Sequence, residues 1–176
     1  MIKTLIVAVV FCLPLLACPK PSGAYIHPEI QWRITSLNSV KDIRVVKRLK
    51  GVATGYYAPK KGQRTYNSGS YKKEVILNGK GGETITGVRP QIGTISANLK
   101  QFPPRTILRI TDKETGQQYV GMVEDTGEAM KRSSSHIDLF MGEGQKGLDL
   151  AKNWGKRKVE IEVIKLVHSK KIKIIS

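Results

Sequence analysis

Residues 118–167 read Q-Y-V-G-M-V-E-D-T-G-E-A-M-K-R-S-S-S-H-I-D-L-F-M-G-E-G-Q-K-G-L-D-L-A-K-N-W-G-K-R-K-V-E-I-E-V-I-K-L-V. Gln118 to Asp125 is rich in strand formers and ends in a Thr-Gly turn. His136 to Met141 reads as a second, short strand. From Gly144 to Asn153 the apolar spacing changes. Leu148 and Ala151 stand at i, i+3, and Leu150 and Trp154 at i, i+4, which predicts a helix. Gly155 closes it. Lys158 to Val167 is the last strand, with Val159, Ile161 and Val163 on one face. Two aspartates, Asp125 and Asp138, fall on the two strands before the helix.

Upstream, Ile43 to Tyr57 reads as a long strand stopped by Ala58-Pro59. Residues 58–74 are polar and read as a long loop, the kind that is functional or mobile in compact domains. The apolar run Val75-Ile76-Leu77 precedes an Asn78-Gly79 turn. Residues 79–93 hold five glycines and one proline and read as irregular. Ile92 to Ala97 is a strand. Thr106 to Thr111 pairs with Gln118 to Asp125 as a hairpin through Glu114-Thr115-Gly116. Many short strands and one clear helix argue for a barrel or a sandwich. No internal repeat or second domain boundary interrupts the chain, and 176 residues suit one domain.

The N-terminus has a different character. Lys3 precedes a nearly continuous apolar run, Leu5 to Leu16, the length of a signal peptide and too short for a spanning helix. Two processing sites compete: Leu15-Leu16-Ala17-Cys18, with Cys18 as the lipidation candidate, and Ser22-Gly23-Ala24. The expected organisation is a signal in residues 1–24, a lead-in in 25–42, a β domain in 43–167 and a basic tail in 168–176. Both cysteines, Cys12 and Cys18, lie in or beside the signal, so no disulfide is expected in the domain. Aromatic content is 6%, so the core must rest on Val, Ile and Leu. Net charge is +16, from 30 Lys and Arg against 14 Asp and Glu. Such a field draws anionic partners. With export, these are envelope polymers or lipid headgroups rather than nucleic acid.

From Gly87 onward the chain resembles the 3D family of bacterial cell-wall domains, named for three aspartates. The matching pieces are G-V-R-P-Q-I-G-T-I-S-A-N (87–98), F-P-P-R-T-I-L-R-I (102–110), V-E-D-T-G-E-A-M-K (123–131), H-I-D-L-F-M-G (136–142) and W-G-K-R-K-V (154–159). Upstream, T-G-Y-Y-A-P and S-G-S-Y with I-L-N-G are similar to one branch of the family. The resemblance implies a mainly β fold, a six-stranded double-psi β-barrel with one or two short helices. It relates the chain to the barrel domain of membrane-bound lytic transglycosylase A. That enzyme class cuts the bond between N-acetylmuramic acid and N-acetylglucosamine in peptidoglycan without water and leaves a 1,6-anhydro sugar. The expected location is the periplasm, the outer membrane or the cell wall, and the expected partner is the peptidoglycan glycan strand.

Such a reaction needs one carboxyl group that is first acid, then base, with a raised pKa. The resemblance puts Asp138 in that role, with Asp125 close enough to raise its pKa. Without the resemblance, the residues read first as structural: Asp125 as a turn cap and Asp138 as a surface residue on an edge strand. Asn98 stands near the place of the first family aspartate, and Glu128 where the family has a glycine after Asp-Thr-Gly. Thr126 and Gly127 shape the turn. Tyr56, Tyr57 and Tyr71 are candidates to stack on sugars or to pack the barrel ends. Lys80, Arg89 and Lys131 are candidates to meet substrate carboxylates, and Asn78 a sugar hydroxyl. The three histidines, His27, His136 and His168, lie far apart, and no spacing resembles a metal site. No phosphate-binding glycine loop is present, so no cofactor is expected. The rival expectation is a non-catalytic glycan-binding barrel.

Overall fold

The computed structural model describes residues 25–26, 40–78 and 83–168, with side chains for 44–78 and 83–166. Cys12, Cys18, His27, Lys80 and the tail beyond His168 lie outside the described residues. The elements in chain order are β1 (Tyr25–Ile26), β2 (Val40–Ala58), α1 (Tyr71–Leu77), β3 (Thr94–Ser96), β4 (Ile107–Asp112), β5 (Gln118–Asp125), α2 (Glu128–Lys131), β6 (His136–Glu143), α3 (Gly144–Trp154) and β7 (Arg157–His168).

Six strands close into a hydrogen-bonded ring, β2-β7-β4-β5-β3-β6 and back to β2. β2 is 19 residues long and holds the ring together. Its length from Val40 to Ala53 runs antiparallel to β7, and its end from Val52 to Ala58 runs parallel to β6. The β4–β5 hairpin expected from the sequence is present. Short β1 lies parallel to β5 at Tyr119 and Val120. Closure leaves few unpaired strand edges.

Strand alternation fills the ring. Ile95, Leu108, Ile110, Val123, Ile137, Val159 and Ile161 are all buried in one cluster with Phe102 and Trp154. Each such side chain contributes roughly 1.5–3 kcal/mol by leaving water. The Val, Ile and Leu core expected from the low aromatic content is what forms, joined by Phe102 and Trp154. A second, smaller cluster gathers Ile107, Val120, Met122 and Ile164. Along β7, Val163 packs against the first cluster and its neighbour Ile164 joins the second, while the register shift between Val45 and Lys47 lies on β2.

Three helices occur among the described residues, against the one or two expected. α3 matches the predicted segment, and Gly155 ends it at φ 62°. The stretch read as loop up to residue 74 instead enters α1. Ser70 caps α1 by accepting from the Lys73 amide, and buried Glu74 accepts from the Ser68 amide and the Asn78 side chain. Seven residues are too few for a periodic pattern, so these local bonds make the helix. In α2, Glu128 is helical rather than in a left-handed turn, which is why a residue other than glycine is accommodated there.

Candidate functional site

Thr54 and Tyr56 of β2 stand opposite Asp138 and Phe140 of β6 in the parallel register. Ala53, Ile137 and Leu139 alternate with them and enter the core. The same alternation that buries Ile137 and Leu139 therefore turns Asp138 outward, on the face of Thr54 and Tyr56. There it lines a cleft of about 300 Å³ with Tyr56, Tyr57, Ser96, Asp125, Thr126, Asn78 and Lys131. Ile76 and Leu77 of α1 form part of its wall and are otherwise exposed.

Asp125 reaches the cleft by a different device. Val123 is in the core, and regular alternation would send Asp125 there too. A bulge between Ile95 and Ser96 makes Ser96 pair with Asp125 and skips Glu124. Bulges of this kind re-aim a side chain. Ser96 pairs on its other side with Asp138. The two aspartates thus flank one buried serine, their backbones about 10 Å apart across two strand spacings.

Asp138 is half-buried. Burial pushes its pKa above the ordinary carboxylate value, while a hydrogen bond from Thr54 and the charge of His136 pull it down. Burial, rather than repulsion from Asp125, is thus the main cause of the elevation. The Thr54 hydroxyl donates to Asp138 Oδ1, and its oxygen lies 2.7 Å from His136 Nε2. A hydroxyl has one proton to give. With that proton on Asp138, Thr54 accepts from His136, which places a ring proton on Nε2. Asp125 also has a raised pKa, from burial first, against backbone bonds from Thr126 and Ile85 and in concert with Glu124.

The other sequence candidates are placed as follows. Thr126, Gly127, Asn78, Lys131 and Tyr57 line the cleft with the two aspartates. Tyr57 is buried and its hydroxyl accepts from Gln63. Asn78 is tied to Glu74, and Lys131 to Glu128. Arg89 and Tyr71 line an adjoining cavity with Lys60, Lys61 and Glu143, which shares Ala58 and Pro90 with the cleft. Asn98 is not among the cleft residues. Its side-chain amide donates to the carbonyls of Lys131 and Ser133, and its oxygen accepts from the Lys100 amide. The Ser133–Ser135 connection, which read as loose, is held by Ser133 Oγ accepting from the His136 amide and by Val52 N bonding Ser135 O at 2.9 Å. Thr54, Ser96 and His136 are additions that sequence reading did not assign to the site. Among the described residues no cluster of three or more His, Cys, Asp or Glu is arranged to hold a metal.

The chain is similar to solved lytic transglycosylases. MltA from E. coli aligns at 17% identity with a TM-score of 0.42, covering 48% of this chain and 28% of that one. MltA with bound chitohexaose gives the same figures. LtgG of Burkholderia pseudomallei aligns at 22% identity with a TM-score of 0.36, over 47% of this chain and 27% of LtgG. This chain therefore spans less than a third of either protein's length. No protein-family model and no curated protein sequence matches it.

Proposed function

We propose that this chain is an exported murein lytic transglycosylase built on a double-psi β-barrel, with Asp138 as its acid and base. The observation that carries the reading is a half-buried carboxyl of raised pKa in the wall of a cleft that also holds the second motif aspartate. The proposed step begins with protonated Asp138. It gives its proton to the glycosidic oxygen as the bond from that oxygen to the anomeric carbon of N-acetylmuramic acid breaks. Positive charge develops on the sugar, facing the carboxylate of Asp125. The ionised Asp138 then takes the proton of the sugar's own C6 hydroxyl, whose oxygen closes on the anomeric carbon. The proton count balances and no water is consumed. A raised pKa suits this double role, because the group must hold a proton near neutral pH and later regain one.

The test is mass spectrometry of products from purified sacculi treated with the protein. Anhydro-muropeptides are expected, and D138N should release none while keeping its fold. Reducing-end products in their place would select a hydrolase with Asp125 as second carboxylate. Retention on sacculi with no soluble product would select a glycan-binding barrel.

A further inference from the structure

Three buried side-chain polar atoms among the described residues have no hydrogen-bond partner within the protein: the Tyr56 hydroxyl, Thr126 Oγ1 and Trp154 Nε1. Two of the three, Tyr56 and Thr126, belong to the cleft that holds Asp125 and Asp138. Folded proteins pair nearly all their buried polar atoms, and an unpaired one is destabilising. Two unpaired hydroxyls in the wall of one cleft are placed to take a partner from outside the protein.

The surroundings define that partner. Tyr56 is held by the edge of Phe140, ring centroids 5.3 Å apart at 62°. Burial, and the carboxylates of Asp125, Asp138 and Glu124, push its ionisation well above the ordinary tyrosine value, so the phenol stays protonated and is a donor. An anionic group on the ligand would meet Asp125 and Asp138 at the same place. The fitting acceptor is therefore uncharged and rich in oxygen.

We propose that Tyr56 is a substrate-positioning residue: its hydroxyl donates to a neutral oxygen of the glycan, a sugar hydroxyl or an acetamido carbonyl, and Thr126 holds an adjacent polar atom of the same sugar. The inference deepens the reading of this cleft as a glycan site and rests on it. Tyr56 sits two residues beyond Thr54 on β2, so the strand that orients Asp138 also sets the sugar against it. The lactyl and peptide carboxylates of the glycan then lie away from this point.

The test uses the full chain and an uncharged oligomer of N-acetylglucosamine as the probe. Y56F keeps the ring and its contact with Phe140, and T126V keeps the shape of the threonine. Each variant should bind the oligomer about tenfold more weakly by calorimetry, about 1.4 kcal/mol. Neither should melt below the wild type, and Y56F should melt higher, because an unpaired buried hydroxyl is gone. Binding equal to wild type in Y56F overturns the proposal. So does a lowered melting temperature in proportion to the lost affinity, which marks a structural tyrosine. A wild type that does not bind the uncharged oligomer but releases anhydro-muropeptides from sacculi overturns this inference and leaves the transglycosylase reading standing. Binding that depends on Tyr56 in a protein that releases no anhydro product supports the inference and removes the reading.

Discussion

Thr54 and Asp138 are 84 residues apart in sequence and stand directly opposite in the β2–β6 ladder, where the threonine hydroxyl donates to the carboxylate. This bond favours the ionised form of Asp138 and so opposes the effect of burial. His136 Nε2 lies 2.7 Å from the same hydroxyl, so the three side chains form one hydrogen-bonded chain.

Removing that bond should therefore raise the pKa of Asp138 further. In T54V the alkaline limb of kcat/KM on sacculi should move to higher pH, since the acid form persists longer. The variant should also lose about 1.5–3 kcal/mol of stability where Asp138 is ionised, typical of a hydrogen bond to a charged group. H136Q should move the limb the same way, by removing the charge that also lowers the pKa. A limb that stays in place or moves to lower pH in both variants disposes of the assignment of Asp138 as the titrating acid.

D138N should stabilise the fold at pH values above the raised pKa of Asp138. A carboxyl whose folded pKa is raised contributes its full stability below the unfolded value and loses it as pH rises through the raised value. Once the pH has passed that raised value, the folded chain carries a poorly solvated charge. Asparagine keeps an acceptor for Thr54 and has no charge. Melting curves should place D138N further above wild type as the pH rises. The gap should close below the ordinary aspartate pKa of about 3.9. A D138N melting temperature that falls relative to wild type as the pH rises would show that the carboxylate is held by contacts that outweigh its burial.

How much of this was legible in the sequence differs by element. The β4–β5 hairpin and α3 could be read because their apolar spacing is set by one core face. α1 could not, since Ser70 and Glu74 build it from local hydrogen bonds with no apolar face behind them. Asp138 and Asp125 were legible as motif residues. Their route into one cleft was not, because the bulge at Ser96 and the pairing of Thr54 with Asp138 are long-range facts of register. Asn98 drew attention by standing near the position of a missing aspartate, yet its side chain holds two loop carbonyls instead.

Gly51 should tolerate no side chain. A Cβ there would lie 2.3 Å from the carbonyl oxygen of Ser135 and 2.6 Å from Ile161 Cδ1. The neighbouring amide, Val52 N, bonds that same Ser135 carbonyl. G51A must therefore push the start of β6 away from β2, and Asp138 is on β6. Overpacking of this kind costs about 1–3 kcal/mol, which urea denaturation should record. Product release from sacculi should fall by more than the loss of folded protein explains. Unchanged denaturation and unchanged activity would mean that β6 is not fixed by this contact.

Asp112 is buried at the end of β4, where Arg157 Nη1 reaches its carboxylate at 2.6 Å and the Glu114 amide and Thr115 hydroxyl also donate to it. Burial alone would raise its pKa, but these donors together hold it below the ordinary value. Arg157 in turn lies 4.2 Å above the Trp154 ring and donates to the Trp154 carbonyl, so the carboxylate anchors the end of α3. D112A leaves a guanidinium and two donors without their acceptor and should cost about 3 kcal/mol. A depressed carboxyl gives stability that is present above the unfolded pKa and is lost as pH falls through the folded one. The gap between wild type and D112A in urea should therefore be widest near neutral pH and shrink in acid. A gap that is constant with pH would assign the loss to packing around Trp154 instead of to the ionised pair.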